Sequence, residues 1–467
     1  MAITITVLAL AIAFMLGHMA AAGGQVYVVM GLLGVIVSIF AFMSPKASIT
    51  LLVFSMLLSP KIGFGQVGGG REAVLRYDDI LLVIIFFSWL ARTAVFKTRP
   101  FITSTPAQAP VLLYTAAAVL STALGVMRGN VSAKESFFYV LKYAEYFFLY
   151  FMTVNIVETR EDIRRYLRYG LIVAVAVTFY AFYYYHSAGP DARATAPFEA
   201  VLGSRINSSE PASLGGYYLV VFGALMAFMT EYSGKTLFLL AGLLAFMFPA
   251  FLLTFSRSSY IGFTLMVPAL LLFTKRRRLS MFWFILVGML ALLAMPTVMG
   301  KVADRITMTY RGEYATEVFH AGPVGSIRLE DSAAARLRSL QRVFLDQLPE
   351  HPIFGWGVTG VGLCDTQYAL VLGETGLLGG LLFFWLLYRL FYTARKVYLL
   401  SDDKVSRGIA LGFAVTLVGL LFQSVGVNSF IIIRIMEPFW FMAALLSVEY
   451  LRVVSADPRA ATPPSGE

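Results

Sequence analysis

Residues 214–278 read LGGYYLVVFGALMAFMTEYSGKTLFLLAGLLAFMFPAFLLTFSRSSYIGFTLMVPALLLFTKRRR. Three apolar runs, 214–230, 236–254 and 258–274, follow one another with Glu231, Lys235 and Arg257 in the gaps, and a basic cluster, Lys275 to Arg278, ends the third. A hydrocarbon core about 30 Å thick takes roughly 17–25 residues of α-helix. Lipid offers the backbone no hydrogen-bond partners, so helix is the conformation in which each run satisfies its own N–H and C=O groups. The stretch reads as three consecutive membrane-spanning helices, with Lys235 and the 275–278 cluster on one side and Arg257 on the other.

The same pattern extends in both directions. Cutting apolar runs at charges, Pro and Gly clusters gives spans at 3–22, 26–43, 47–60, 79–96, 109–127, 135–157, 169–186, 214–230, 236–254, 258–274, 281–299, 366–391, 408–426 and 430–451. The fold class expected is all-α, a polytopic transmembrane helical bundle of about fourteen spans with a long external loop that contains an amphipathic helix. The span at 47–60 is short enough to be re-entrant. The first run has no basic segment before it and leads straight into another span, so it reads as a helix and not as a signal peptide. Of 467 residues, 58% are from AVILMFWYC and 14% are charged, and the mean hydropathy is +0.75, which excludes a string of water-soluble domains. One cysteine, Cys364, and four histidines exclude a disulfide framework and argue against a metal site, and no cofactor is implied.

Lys and Arg are retained on the cytoplasmic side of membrane proteins. With both termini inside, Lys46, Arg92, Lys97, Arg99, Arg160, Arg164, Arg165, Arg168, Lys235, Lys275, Arg276, Arg277, Arg278, Arg389, Arg395, Lys396, Lys404, Arg407, Arg452 and Arg459 all fall inside, and every inside loop holds at least one. The net charge of +10 is thereby explained by topology. The expected division is a bundle of about eleven spans over 1–299, an external loop over 300–365, the last spans over 366–452 and a disordered cytoplasmic tail over 453–467. No basic run resembles a nucleic-acid tract, and nucleic acid is not an expected partner.

The arginines left outside are not asked for by topology, and they cluster in three segments. In 300–365, Asp331 or Ser332 is placed to cap a helix to about Leu348, with Leu337, Leu340, Phe344 and Leu348 on one face. Arg338 and Arg342, four apart, point the same way with Asp346 a turn further, and Arg336 lies nearby. Two readings stand: an interfacial helix with solvated charges, or a surface for an anionic group. Between spans seven and eight, Arg193-Ala-Thr-Ala-Pro197 and Arg205-Ile-Asn-Ser-Ser-Glu210-Pro-Ala-Ser-Leu-Gly-Gly216 make a compact loop. Between spans nine and ten, Thr254-Phe-Ser-Arg257-Ser-Ser-Tyr260 sets an arginine at a tight turn in apolar sequence, where an unpaired charge is costly. Arg257 needs a carboxylate partner or an anionic ligand, and guanidinium suits forked contact with phosphate. Further on come His351-Pro-Ile-Phe-Gly-Trp-Gly357, Cys364-Asp365-Thr-Gln-Tyr368 and Gly373-Glu374-Thr-Gly-Leu-Leu-Gly-Gly380. Asp365 and Glu374 fall near the membrane boundary, as functional carboxylates or, for Glu374, as the neutraliser of a buried arginine. Lys142 with Glu145, and Asp78 and Asp79 beside Arg76, read as structural pairs, Arg434 is open, and Asp402-Asp403 lacks the neighbours of a nucleotide-sugar metal site.

Taken together, the Arg257 turn, the long external loop, the His351 segment and the Asp365-Thr-Gln-Tyr…Gly-Glu374-Thr-Gly-Leu-Leu-Gly block resemble the O-antigen ligase and O-antigen polymerase superfamily, best over about 250–390. Arg193…Glu210-Pro-Ala-Ser-Leu-Gly-Gly and Leu141-Lys-Tyr-Ala-Glu-Tyr resemble segments of exopolysaccharide polymerases in that group. The resemblance implies an inner-membrane glycosyltransferase, metal-independent and inverting. It would pass glycan repeat units from a polyprenyl-diphosphate-linked oligosaccharide to an acceptor sugar at the external leaflet, among membrane lipids and with a chain-length regulator as a further partner. Ligases of the group often carry a His-Asn pair where this chain has Asp365-Thr366, which favours a repeat-unit polymerase over a ligase. Displacing a diphosphate requires stabilising charge on the leaving group and removing a proton from the attacking hydroxyl. Arg257, with Arg193, Arg336 or Arg338 in support, is expected on the diphosphate, and Asp365 on the hydroxyl, with His351 or Glu374 as substitutes. Arg205, Arg342, Tyr260 and Tyr368 complete the expected substrate contacts. A glycolipid flippase is the rival from another class, but such transporters place charges at the midplane of repeated halves, and no repeat is visible here.

Overall fold

The computed structural model describes residues 25–59, 61–67, 71–97, 100, 102–189, 192–197, 211–277, 296–307, 317–320 and 326–456. Helices dominate: α1 (Gln25–Met43), α2 (Pro45–Leu58), α3 (Tyr77–Phe96), α4 (Gln108–Met127), α5 (Ala133–Ile156), α6 (Arg160–Ser187), α7 (Pro211–Glu231), α8 (Lys235–Leu252), α9 (Arg257–Phe273), α10 (Pro296–Thr307), α11 (Asp331–Gln341), α12 (Gln367–Leu400), α13 (Lys404–Gln423) and α14 (Ile433–Ala456). Two short antiparallel hairpins were not anticipated: β1 (Lys61–Val67) with β2 (Arg71–Arg76), in the register Lys61 opposite Arg76, and β3 (Glu317–His320) with β4 (Ser326–Leu329).

Among the described residues, eight helices, α3, α4, α6, α7, α8, α12, α13 and α14, are long and apolar enough to cross a membrane, and Leu32–Met43 of α1, α2 and α9 are apolar but shorter. This is an integral membrane protein. The expected span at 3–22 and most of that at 281–299 lie outside the described residues, so fourteen spans are not reached among them. The 24-residue α5 carries Lys134, Glu135, Lys142 and Glu145, too much charge for a uniformly apolar span. Its Lys142 is paired with both Asp79 and Glu145. Helices α7 and α13 are buried along most of their length, whereas α3 and α8 present most of theirs outward.

Helix α12 departs from regularity at Gly376, where φ is 66° and ψ −168°. This region of backbone space is open to glycine alone among common residues. The interruption frees backbone groups that lipid cannot satisfy, and the Pro352–Gly357 segment fills it. Trp356 N–H donates to Gly373 O (2.9 Å) and Gly357 N–H to Glu374 O (2.9 Å), while Leu377 and Leu378 N–H donate to Pro352 O (2.8 Å) and Ile353 O (3.1 Å). The His351–Gly357 segment is thereby locked onto the start of α12.

Helix α11 begins as expected near Asp331, but its cap is Glu330, one residue earlier, and no side chain caps it. It runs into a π-helical stretch, Arg342–Gln347, and a closing turn, Leu348–Glu350. The wider π turn shifts which residues face inward. Val343 is fully buried in a small core with Val361, Cys364, Ala369 and Leu370, backed by Leu340, while Phe344, expected on the packed face, is 40% exposed.

Candidate active site

The turn joining α8 to α9 places Arg257 at the first position of α9. Phe255 adopts φ 49°, and consecutive bonds from Thr254 N–H to Phe251 O (3.2 Å) and Phe255 N–H to Leu252 O (3.1 Å) tighten the reversal. The Tyr260 hydroxyl donates to Leu252 O across the same turn. Residues 192–197 dock beside it through Ala194 N–H to Leu253 O (2.8 Å), and this brings Arg193 into the electrostatic neighbourhood of Tyr260.

Arg257 is answered by the residue that caps α11: its Nη1 lies 2.5 Å from Glu330 Oε2, both side chains being mostly buried. Arg336, in the second turn of α11, stands in the same electrostatic neighbourhood as Asp365, Arg257 and Glu330. Burial pushes its guanidinium below the ordinary arginine range; Asp365 acts against the shift, Arg257 adds to it and Glu330 opposes it. Among the described residues the buried Arg336 Nε has no hydrogen-bond partner. Gly426, between α13 and α14, lies against Arg336 and Ser258, so that a Cβ there would stand 3.8 Å from Arg336 Nε.

Asp365 itself is exposed, at the end of a loop held from three directions. Arg342 Nη2 donates to Val361 O (3.0 Å) and Leu363 O (2.7 Å), Asn428 Nδ2 donates to Cys364 O, and Gln367 N–H donates to Ser424 O (3.1 Å). Arg342 therefore clamps the backbone beside Asp365, while Arg338 is exposed one turn earlier. Below the cluster, Gln423 Nε2 bridges Ser259 Oγ (2.9 Å) and Ala212 O (3.0 Å), tying α13 to α9 and α7.

The other expected residues stand apart from this cluster. His351 faces Asn130 (Nε2 to Nδ2, 3.4 Å) and packs edge-on against Trp356 at 4.7 Å. Glu374 is buried: Oε1 accepts Thr359 N–H (2.8 Å) and Oε2 accepts the Tyr143 hydroxyl (3.2 Å). Tyr368 donates to Leu421 O (2.5 Å) and stacks on Phe384. Arg205 lies outside the described residues. Of the open charges, Arg434 is bound to Asp78 and Glu437, and Asp403 caps α13.

Sequence reasoning missed Glu330, Gly426 and Asn428. Glu330 had a signal, an acid at a predicted helix start, but Asp331 beside it carried the same signal. The Gly-Val-Asn-Ser run at 426–429 looks like any short connection between spans.

Residues 242–384 match the protein family described as O-antigen ligase. The match covers less than a third of the chain and makes this segment similar to that family. It supports the O-antigen ligase/polymerase superfamily, a group of membrane glycosyltransferase type, and includes Arg257, Glu330, Arg336, His351, Asp365 and Glu374. Arg193 and Asn428 fall outside the matched segment. No curated protein matches the chain.

Proposed function

We propose that the protein is a glycan polymerase working on a polyprenyl-diphosphate-linked oligosaccharide, with the Arg257 end of the bundle facing the outside of a bacterial inner membrane. The observation that carries this reading is the convergence of Arg257 from α9, Glu330 and Arg336 from α11, and Asp365 from the loop before α12. Two guanidinium groups held together under partial burial repel each other. They favour a ligand bearing more than one negative charge, and a diphosphate is such a ligand.

In the proposed reaction the acceptor hydroxyl attacks the anomeric carbon as its bond to the diphosphate oxygen breaks, inverting the configuration. Arg257 and Arg336 meet the charge that grows on the departing diphosphate, with Arg193 beside Tyr260 extending the basic surface. The hydroxyl proton passes to Asp365, whose exposure leaves it within reach of an incoming sugar. His351 and Glu374 serve less well as bases, because one packs on Trp356 and the other is engaged by Thr359 and Tyr143. The Asp365-Thr366 pair favours repeated addition over a single transfer to a lipid acceptor.

Incubating the purified protein with a polyprenyl-diphosphate oligosaccharide tests the reading: a ladder of products supports polymerase, one addition to a second lipid supports ligase, and no covalent product removes both. Arg257→Lys loses the forked geometry and one charge-assisted hydrogen bond worth about 1.5–3 kcal/mol, or roughly 10- to 150-fold in turnover. Wild-type product yield from this variant would remove Arg257 from the diphosphate site.

A further inference from the structure

A second cluster of charges lies on another seam, where α3, α5 and α14 meet. Asp78 Oδ1 accepts from Arg434 Nη2 (3.0 Å), and Arg434 Nη1 also reaches Met56 O and Glu437 Oε2 (3.0 Å). Next to them Asp79 Oδ2 takes Arg76 N–H (3.0 Å) and Lys142, whose Nζ stands 3.4 Å from Glu145 Oε2. The groups facing the Asp79–Glu145 pair are thus Asp78 on α3, Lys142 on α5, Arg434 and Glu437 on α14, and Arg76 at the end of β2. Among the described residues, four acids meet three bases.

Three carboxylate oxygens of the cluster have no donor among the described residues, Asp79 Oδ1, Glu145 Oε1 and Glu437 Oε1, and the first two belong to neighbouring carboxyl groups beside a cavity. Asp79 and Glu145 are 4% and 5% exposed. The two carboxyl groups lie within hydrogen-bonding reach of each other. Two neighbouring buried carboxylates that share one lysine, each with an oxygen lacking a donor, carry a desolvation and repulsion cost. A single proton supplies the missing donor to one oxygen, satisfies the acceptor on the other and removes the unmatched charge. Beside the pair is a cavity of about 290 Å³ that Asp79, Lys142 and Glu145 share with apolar side chains including Val83, Leu141 and Phe148. Ile80, Val83 and Leu141 are 38%, 45% and 45% exposed on the outer surface of α3 and α5, the surface that meets lipid in a spanning protein.

We propose that Asp79 and Glu145 form a proton-binding site within the membrane, with Glu145 donating its proton to Asp79 Oδ1, and that the adjoining cavity makes this acid a modification site for apolar carbodiimides. In the modification the carboxyl O–H adds across one C=N bond: the proton goes to nitrogen and the carboxyl oxygen bonds the central carbon. Acyl transfer from oxygen to nitrogen then gives a stable N-acylurea with every atom retained. The reaction requires the protonated acid, so its rate falls as pH rises.

The test treats the intact purified protein with dicyclohexylcarbodiimide and maps the adduct by mass spectrometry. The expected result is an adduct on Glu145 that is lost at alkaline pH, absent in Glu145→Gln, and not formed by a water-soluble carbodiimide. Infrared spectra of the wild type should show the carbonyl stretch of a protonated carboxyl that Glu145→Gln removes. Should Glu145→Gln fail to fold, the wild-type adduct map and its pH dependence still decide. An adduct only on Glu437 or Asp78, no adduct on any buried acid, or protection by sodium but not by choline at equal ionic strength would overturn the proposal, the last by showing that a metal cation holds the place of the proton.

Discussion

Replacing Glu374 separates a carboxylate that performs chemistry from one that shapes the site. Its two oxygens hold Thr359 N–H at 2.8 Å and the Tyr143 hydroxyl at 3.2 Å. Thr359 has φ 77°, a left-handed conformation that costs a non-glycine residue of order 1–3 kcal/mol and persists only where its surroundings enforce it. Ser136 Oγ, 3.1 Å from Thr359 Oγ1, is the second constraint. Glu374→Ala takes this acceptor away from two part-buried donors; a fully buried orphan costs about 1–3 kcal/mol, and destabilisation of about 1–3 kcal/mol in total is expected here. Glu374→Gln keeps the shape and an acceptor for Thr359 but gives up the charge, and a loss of about 1–2 kcal/mol follows because charge-assisted bonds are roughly twice as strong as neutral ones. The measurements are thermal unfolding in detergent and turnover of the lipid-linked oligosaccharide. A shaping role predicts that Glu374→Gln unfolds earlier yet keeps most of its turnover at a temperature where it remains folded. A general base would instead lose about 10²- to 10⁴-fold in turnover with unfolding unchanged, and that pattern would refute the assignment made here.

Two further outcomes follow from the same geometry. Gly376→Ala puts a methyl group against Ile353 O and Gly355 N at a backbone conformation that alanine disfavours; strain of about 1–3 kcal/mol and overpacking of about 1–3 kcal/mol should lower the unfolding temperature markedly, and a wild-type melting curve would contradict the helix break. Asp403→Ala removes the cap that accepts from Val405 N–H and Ser406 N–H, both at 3.0 Å, and should cost about 1 kcal/mol. Burial works against ionised Asp403, but the Ser406 N–H and hydroxyl, Arg160 and Val405 N–H outweigh it and hold its pKa below the usual carboxylate value. A depressed folded value makes the contribution complete above the unfolded pKa of about 3.9 and lost as pH falls through the folded one. The gap between variant and wild type should therefore close in acid, and a gap constant down to low pH would exclude the charged cap.

Helices were legible because lipid imposes a rule that one segment at a time obeys: enough apolar residues, with breaks at charges. That rule locates α7, α8 and α9 within a few residues of 214–230, 236–254 and 258–274. It is silent where polar residues pay for one another across helices. Lys142 and Glu145, three apart on α5, suggest a pair, and the pair exists at 3.4 Å, but the stronger partner of Lys142 is Asp79 on α3, which no spacing along α5 reveals. Arg434 was ambiguous for the same reason, its partner Asp78 lying at the far end of the chain. Hydrophobic periodicity also misplaced the packed face of α11, since a π stretch from Arg342 to Gln347 breaks the period on which the reading depended.

The candidate site shows the limit more sharply. Arg257 was identifiable because an arginine in an apolar turn must be answered by something, and that reasoning left two answers, a carboxylate or an anionic ligand. The structure supplies the carboxylate, Glu330, and the two answers then cease to be exclusive. A carboxylate that meets Arg257 at the start of a helix whose Arg336 lies in the same electrostatic neighbourhood marks the position where a stronger anion would bind by exchanging one acceptor for another. In that arrangement Glu330→Gln should leave the turn of α9 in place while making Arg257 and Arg336 more receptive to a diphosphate. An isolated surface ion pair would show no such linkage, because solvent screening would already have made its partner optional.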